Sequence, residues 1–187
     1  DASVVPVGVI VDRPVEQAAM LLNEGIVDVI QLHGREDENY IQRLRQLLKC
    51  REEAFTDDDM AKDKTGNGDT RQNDEIKNCI WKAFKISSRK DFETAIASSA
   101  DAVILDNGYG TGETFDWSIL EDVGVMMQEK KVFLAGGLTP DNIEAAIQRM
   151  DVWGIDISSG VETDKKKDRS KILAAVQAVR RAGGNKQ

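Results

Sequence analysis

The residues that could do chemistry in this chain stand at the ends of its apolar runs. Asp106 closes the run "AVIL" and is followed by the glycine-studded stretch "NGYGTGETFDW". A carboxylate at the tip of a buried strand is either desolvated at a cost or placed there for acid–base work. Further along, "LAGGL" holds Gly136 and Gly137, and "ISSGVE" holds Ser159 and Gly160. Each offers a cluster of backbone N–H groups that glycine lets a ligand approach closely, beside an expected helix start. That pattern is a phosphate cradle, and two such loops in succession are harder to explain as turn glycines than one.

The elements that must position these residues follow from two alternating periods. Six short β-branched runs end at Asp12, Gly34, Ile86, Asn107, Gly137 and Gly160, and longer segments with helical spacing lie between them. This alternation predicts βα units around a parallel sheet, whose strands should be apolar almost throughout because both faces are covered. Pro14 opens a helix that closes near Gly25, Thr139 and Pro140 read as an N-cap and first helical position, and a last helix starts near Asp168 and ends in Arg180 and Arg181. One interval is about twice the usual length of a βα unit. Its excess, residues 51–78, is acidic and poor in apolar side chains, and reads as a mobile surface insertion within a single domain spanning 1–187. In parallel α/β folds ligands sit at the C-terminal ends of the strands. The residues there are Asp12, Arg13, His33, Gly34, Lys85, Asp106, Asn107, Gly136, Gly137, Ser158, Ser159 and Gly160.

Composition narrows the function. With 187 residues and 41% hydrophobic content the chain can bury a sizeable core, and a net charge of −8 argues against a nucleic-acid surface. No apolar run approaches the roughly 18 residues that span a bilayer, and the first residues lack the features of a signal peptide. The expectation is a cytoplasmic protein with small-molecule partners, no nucleic acid and no membrane. Cys50 and Cys79 show no metal-ligand spacing and read as reduced thiols in or near packed surfaces.

"VGVIVDRP", "VDVIQLHG", "ILDNGYGTGETFDW", "LAGGLTPDNIEAAI" and "GIDISSGVE", followed by "KKKDRSKI", occur in this order over nearly the whole chain. Together they resemble the phosphoribosylanthranilate isomerase family. The resemblance implies an α/β fold of the TIM (βα)₈-barrel type, with about six βα units, strands 3 to 8, present. It implies an isomerase of tryptophan biosynthesis that performs an Amadori rearrangement of N-(5-phosphoribosyl)anthranilate with no metal or cofactor. A general acid must protonate the ribose ring oxygen and a base must remove the C2 proton. The family's acid matches Asp106. His33 would lie on the active-site rim or hydrogen-bond a neighbouring loop, and Asp156 would approach the anthranilate end or fix its own loop. Gly136, Gly137, Ser159 and Gly160 would bind the phosphate.

Some residues depart from the family pattern. The family's base is a cysteine in a "KxCG" motif and a substrate-binding arginine follows its second strand, but neither has a match here. Cys50 falls at a helix end and Cys79 at a strand start. Tyr109 stands where the family often writes glycine. The expectation is therefore a chain lacking the N-terminal part of the barrel, with negligible activity alone and with upstream fusion to another tryptophan-pathway enzyme left open. Two alternatives remain. One is another phosphate-binding barrel that isomerises sugar phosphates, which "FDW" and "QLHG" disfavour; the other is a non-catalytic fragment or pseudoenzyme that binds a phosphorylated ligand or needs a separate N-terminal piece.

Overall fold

The computed structural model describes residues 4–52, 78–106, 130–150 and 152–184. The chain divides into two compact units, Asp1–Ala83 with Ser99–Asp101, and Phe84–Ser98 with Ala102–Gln187.

In the first unit β1 (Val7–Ile10), β2 (Val29–Leu32) and the start of β3 (Cys79–Lys85) pair in parallel and in chain order, with α1 (Val15–Asn23) and α2 (Glu38–Glu52) between them. Pro14 precedes α1, and Gly25, at φ 66, donates its N–H to the Leu22 carbonyl to end it. Ala18, Ala19 and Leu22 of α1 and Ile41, Leu44 and Leu48 of α2 recur at helical spacing and are buried against Ile10, Ile30, Leu32 and Ile80. Because strand side chains alternate, Val9, Gln31 and Trp81, which lie in register, take the opposite face. That face is not covered along β1: Val9 is 59% exposed, a departure from strands apolar on both sides. Arg45 of α2 ties the unit together by donating to the Ser99 carbonyl and pairing with Asp101, both at 2.8 Å.

In the second unit α3 (Arg89–Ala97) leads to β4 (Ala102–Asp106), and β4, β5 (Lys131–Ala135) and β6 (Gly154–Ile155) pair in parallel, again in chain order. α4 (Ile143–Arg149) precedes β6. A 3-10 turn (Ser159–Val161), a small hairpin of β7 (Glu162–Thr163) and β8 (Lys166–Lys167), and α5 (Arg169–Gly184) complete the unit. Phe92, Val103, Leu105, Val132, Leu134, Ile143 and Ile147 form its core with Ala175, Ala178 and Ala182 of α5. The apolar stripe expected on α5 is therefore buried through its alanines, while Ile172, Leu173 and Val176 remain 40 to 46% exposed.

Three local expectations are corrected. α4 does not begin at Pro140 but at Ile143. Asn142 explains this: its Oδ1 accepts the Thr139 N–H at 2.8 Å and its amide donates to the Gly137 carbonyl at 3.0 Å, so residues 139–142 form a turn ahead of the helix. The sixth strand is only two residues long. Arg51 and Glu52 belong to α2, and Asn78, at φ 58, turns the chain into β3. The rest of the expected insertion, residues 53–77, and the glycine-rich stretch after Asp106, with Asn107 and Tyr109, lie outside the described residues.

Candidate active site

The second unit assembles most of the expected site. Leu105 and Leu134 pack among the helices, so Asp106 and Ala135, which are opposite one another in the sheet, direct their side chains to the other face. Ile155 and Ile157 likewise lean on the core, which places Asp156 on that same face, and its N–H donates to the Leu134 carbonyl at 2.8 Å. Asp106 and Asp156 thus sit at corresponding ends of β4 and β6 with β5 between them. Asp106 is half-buried, and its carbonyl accepts the Ile86 N–H at 2.8 Å.

Beyond the end of β5, Gly136 and Gly137 adopt φ of 80 and 62, a left-handed pair that side-chain-bearing residues seldom adopt. Beyond β6, Gly160 lies so close to this loop that a Cβ there would stand 1.8 Å from the Leu138 carbonyl oxygen. The two loops, carrying Gly136 and Gly137 on one side and Ser159 and Gly160 on the other, are therefore packed backbone to backbone. Lys167 of β8 donates to the Ser158 carbonyl at 2.9 Å and to its hydroxyl at 3.2 Å, and pairs with Glu162 at 2.8 Å. It holds a cation at the lip of the second loop. A separate hollow of about 600 Å³, lined mainly by Ile155, Ile157, Ile172, Val176 and Val179 with Lys167 and Arg180 at its edge, is largely apolar and contains none of Asp106, Asp156, Gly136, Gly137, Ser159 and Gly160.

His33 belongs to the first unit, where a different construction holds the loops. Its N–H donates to the Ile10 carbonyl at 2.9 Å, and its Nδ1 lies 3.1 Å from the side-chain nitrogen of Gln31. The neighbouring loops are held by Glu36, which is 6% exposed and accepts the Asp12 N–H at 2.6 Å and the Gly34 N–H at 2.8 Å. Lys82 rises from β3, donates to the Gly34 carbonyl at 2.7 Å and lies 3.6 Å from Glu36. Burial lowers the Lys82 pKa, and the Glu36 carboxylate opposes that shift. The same burial pushes the Tyr40 phenol up to about 12, with the charges of Glu36 and Glu16 adding to it. Asp12, at φ 50, accepts the Arg35 N–H at 2.7 Å and its guanidinium at 3.1 Å, which hold its carboxyl below the usual range.

The phosphoribosylanthranilate isomerase family model matches residues 1–76 and 66–178. The N-(5'-phosphoribosyl)anthranilate isomerase of Acetivibrio thermocellus is 32% identical over 183 residues, covering 95% of this chain and 73% of that protein. That of Clostridium kluyveri is 33% identical over 181 residues, covering 96% and 74%. The chain belongs to this family. The phosphoribosylanthranilate isomerase structure from Thermotoga maritima, 24% identical, superposes with a TM-score of 0.69 over 95% of this chain and 73% of its own, so the α/β fold of TIM type is shared. The expectation that two βα units are lost from the front finds no support in these matches; the chain spans about three quarters of the length of the relatives it matches.

Glu36, Lys82, Lys167 and Asn142 were not among the residues expected at the site. Lys167 lies in "KKKDRSKI", a stretch that carries the resemblance, and Asn142 in "TPDN" had the composition of a turn. Glu36 and Lys82 gave no signal, because a pairing across 46 positions leaves no local pattern. Among the described residues no group of three or more metal-ligating side chains is assembled, and no helix is long and apolar enough to cross a membrane.

Proposed function

We propose that the chain acts on N-(5-phosphoribosyl)anthranilate, as an isomerase of tryptophan biosynthesis that yields 1-(2-carboxyphenylamino)-1-deoxyribulose 5-phosphate. The observation that carries this reading is the second unit's rim, where Asp106 and Asp156 share a face of the sheet beside two glycine loops packed backbone to backbone. In it Asp106 is the general acid: its carboxyl gives a proton to the ribose ring oxygen as the ring opens, and a base then takes the C2 proton of the iminium. Gly136, Gly137, Ser159 and Gly160 receive the phosphate on backbone N–H groups, with Lys167 adding positive charge at the edge. Asp156 approaches the anthranilate end of the substrate, and His33 borders the ligand.

Steady-state turnover of the Asp106→Asn variant, beside calorimetric binding of the reduced product analogue, tests the assignment. Removing a general acid should lower kcat by about 10²- to 10⁴-fold while analogue affinity changes little. Ordinary turnover in the variant overturns the role of Asp106. A second reading, binding of the phosphorylated ligand without turnover, is the competing outcome of the same measurements. Tight analogue binding with negligible turnover in the unaltered chain selects that reading.

A further inference from the structure

We infer that Gln31 is a positioning residue that fixes the tautomer of His33, so that the ring presents Nε2–H as a donor to an anionic group of the ligand. Gln31 is 7% exposed, and a buried side-chain amide must find partners within the protein. It stands on β2, two residues before His33, which follows the strand, and its amide nitrogen lies 3.1 Å from His33 Nδ1. In this arrangement the amide nitrogen donates and Nδ1 offers its lone pair, and in a neutral imidazole the proton then sits on Nε2. The hydrogen bond from the His33 N–H to the Ile10 carbonyl, at 2.9 Å, anchors the backbone from which the ring projects. His33 itself is exposed, which leaves Nε2 open to a ligand.

The choice of glutamine at this position has a chemical consequence. A glutamate of the same length would accept rather than donate, draw the proton to Nδ1 and leave a lone pair at Nε2. A substrate bearing a carboxylate and a phosphate is attracted by an N–H at that point and repelled by a lone pair. The tautomer is a property of the free protein; its use toward substrate rests on the isomerase reading.

His33 is the chain's single histidine, so the ring ¹⁵N resonances of labelled protein are assigned without ambiguity. With the ring neutral, the unaltered protein should show the Nε2–H form predominating. Gln31→Leu should relax this toward the mixture of a free imidazole, and Gln31→Glu should reverse it. Gln31→Glu should also weaken binding of the reduced product analogue by about tenfold or more. Predominance of Nδ1–H in the unaltered protein, a measurement that needs no variant to fold, overturns the inference, as does an unchanged ratio in folded Gln31→Leu. If the ¹⁵N shifts follow expectation but the unaltered protein does not bind the analogue, Gln31 keeps its role and the isomerase reading falls.

Discussion

The two units hold the loops at their strand ends by opposite means. In the first, side chains do it: the Glu36 carboxylate gathers the N–H groups of Asp12 and Gly34, Lys82 closes on the Gly34 carbonyl, and Arg35 grips Asp12. In the second, backbone does it: the left-handed pair Gly136 and Gly137 leads into a loop pressed against Gly160, with Asn142 bracing the turn ahead of α4 and Asp168 holding the start of α5. A loop held by buried charge keeps its shape only while the charges stay paired. A loop held by glycine contact leaves its N–H groups clear for a ligand. On the proposed reading, the difference separates a unit that positions one histidine from a unit that receives the phosphate.

The comparison breaks most sharply at Glu36. Glu36→Ala removes the carboxylate from beside Lys82, whose side chain is 8% exposed, and leaves two loop N–H groups without their acceptor. Removing one partner of a buried pair costs about 3–5 kcal/mol. Urea unfolding should show a loss of that order, and pairing the change with Lys82→Met should recover part of it, because the ammonium that lost its Glu36 partner is gone. A loss below about 1 kcal/mol, the size of an exposed ion pair, means that the first unit's loops are not held by charge.

The corresponding change in the second unit is Gly160→Ala. The added methyl would stand 1.8 Å from the Leu138 carbonyl oxygen, backbone that cannot swing aside as a side chain can. Overpacking of this kind costs about 1–3 kcal/mol. Because the loops must part to relieve it, titration with inorganic phosphate should weaken more than the stability change alone explains. Gly34→Ala sharpens the contrast: its methyl would meet the Asp12 carboxylate at 2.6 Å as well as the Asp12 backbone nitrogen at 2.8 Å, in a loop that offers no cradle. Its cost should fall on stability, with phosphate binding unchanged. Equal phosphate affinity in Gly160→Ala and the unaltered chain removes the second loop from the site.

The same contrast explains what the amino-acid sequence disclosed. Backbone-built features announce themselves locally: Gly136, Gly137 and Gly160 are glycines because the left-handed φ or the close approach excludes a side chain, and their positions after apolar runs were readable. Asp106 was legible for a similar reason, as a carboxylate at the tip of "AVIL". The side-chain clamp was not, since Glu36 and Lys82 look like ordinary members of a chain that is 31% charged until folding buries them together. The start of α4 was misplaced because Thr139 and Pro140 carry the cap signal in sequence, whereas Asn142 reaches back to Thr139 and Gly137 and delays the helix by three residues. The exposure of Val9 was hidden too, because periodicity shows which residues share a face but not whether anything covers it.

The smallest effect is expected at Asp168, the single-residue device that starts α5. Its carboxylate accepts the Ser170 hydroxyl at 2.5 Å and the Thr163 hydroxyl at 2.8 Å, together with the N–H groups of Ser170 and Lys171. These bonds, that of the Ser170 hydroxyl foremost, hold its pKa far below the ordinary aspartate value of 3.8. With the folded pKa depressed, the ionised carboxylate stabilises the fold at every pH above that ordinary value. The contribution is lost as pH falls through 3.8 toward the folded pKa. Asparagine caps helices nearly as well as aspartate, so Asp168→Asn keeps the acceptor for the helix N–H groups and forfeits the charge that complements the helix dipole, together with the acceptor of the Thr163 hydroxyl. Thermal unfolding should therefore show the variant slightly less stable at pH 7, with the gap to the unaltered chain narrowing as the pH drops below 3.8. A gap that stays constant across that range would show that the Asp168 cap works through geometry alone, which would leave charge as a device of the first unit and not of the second.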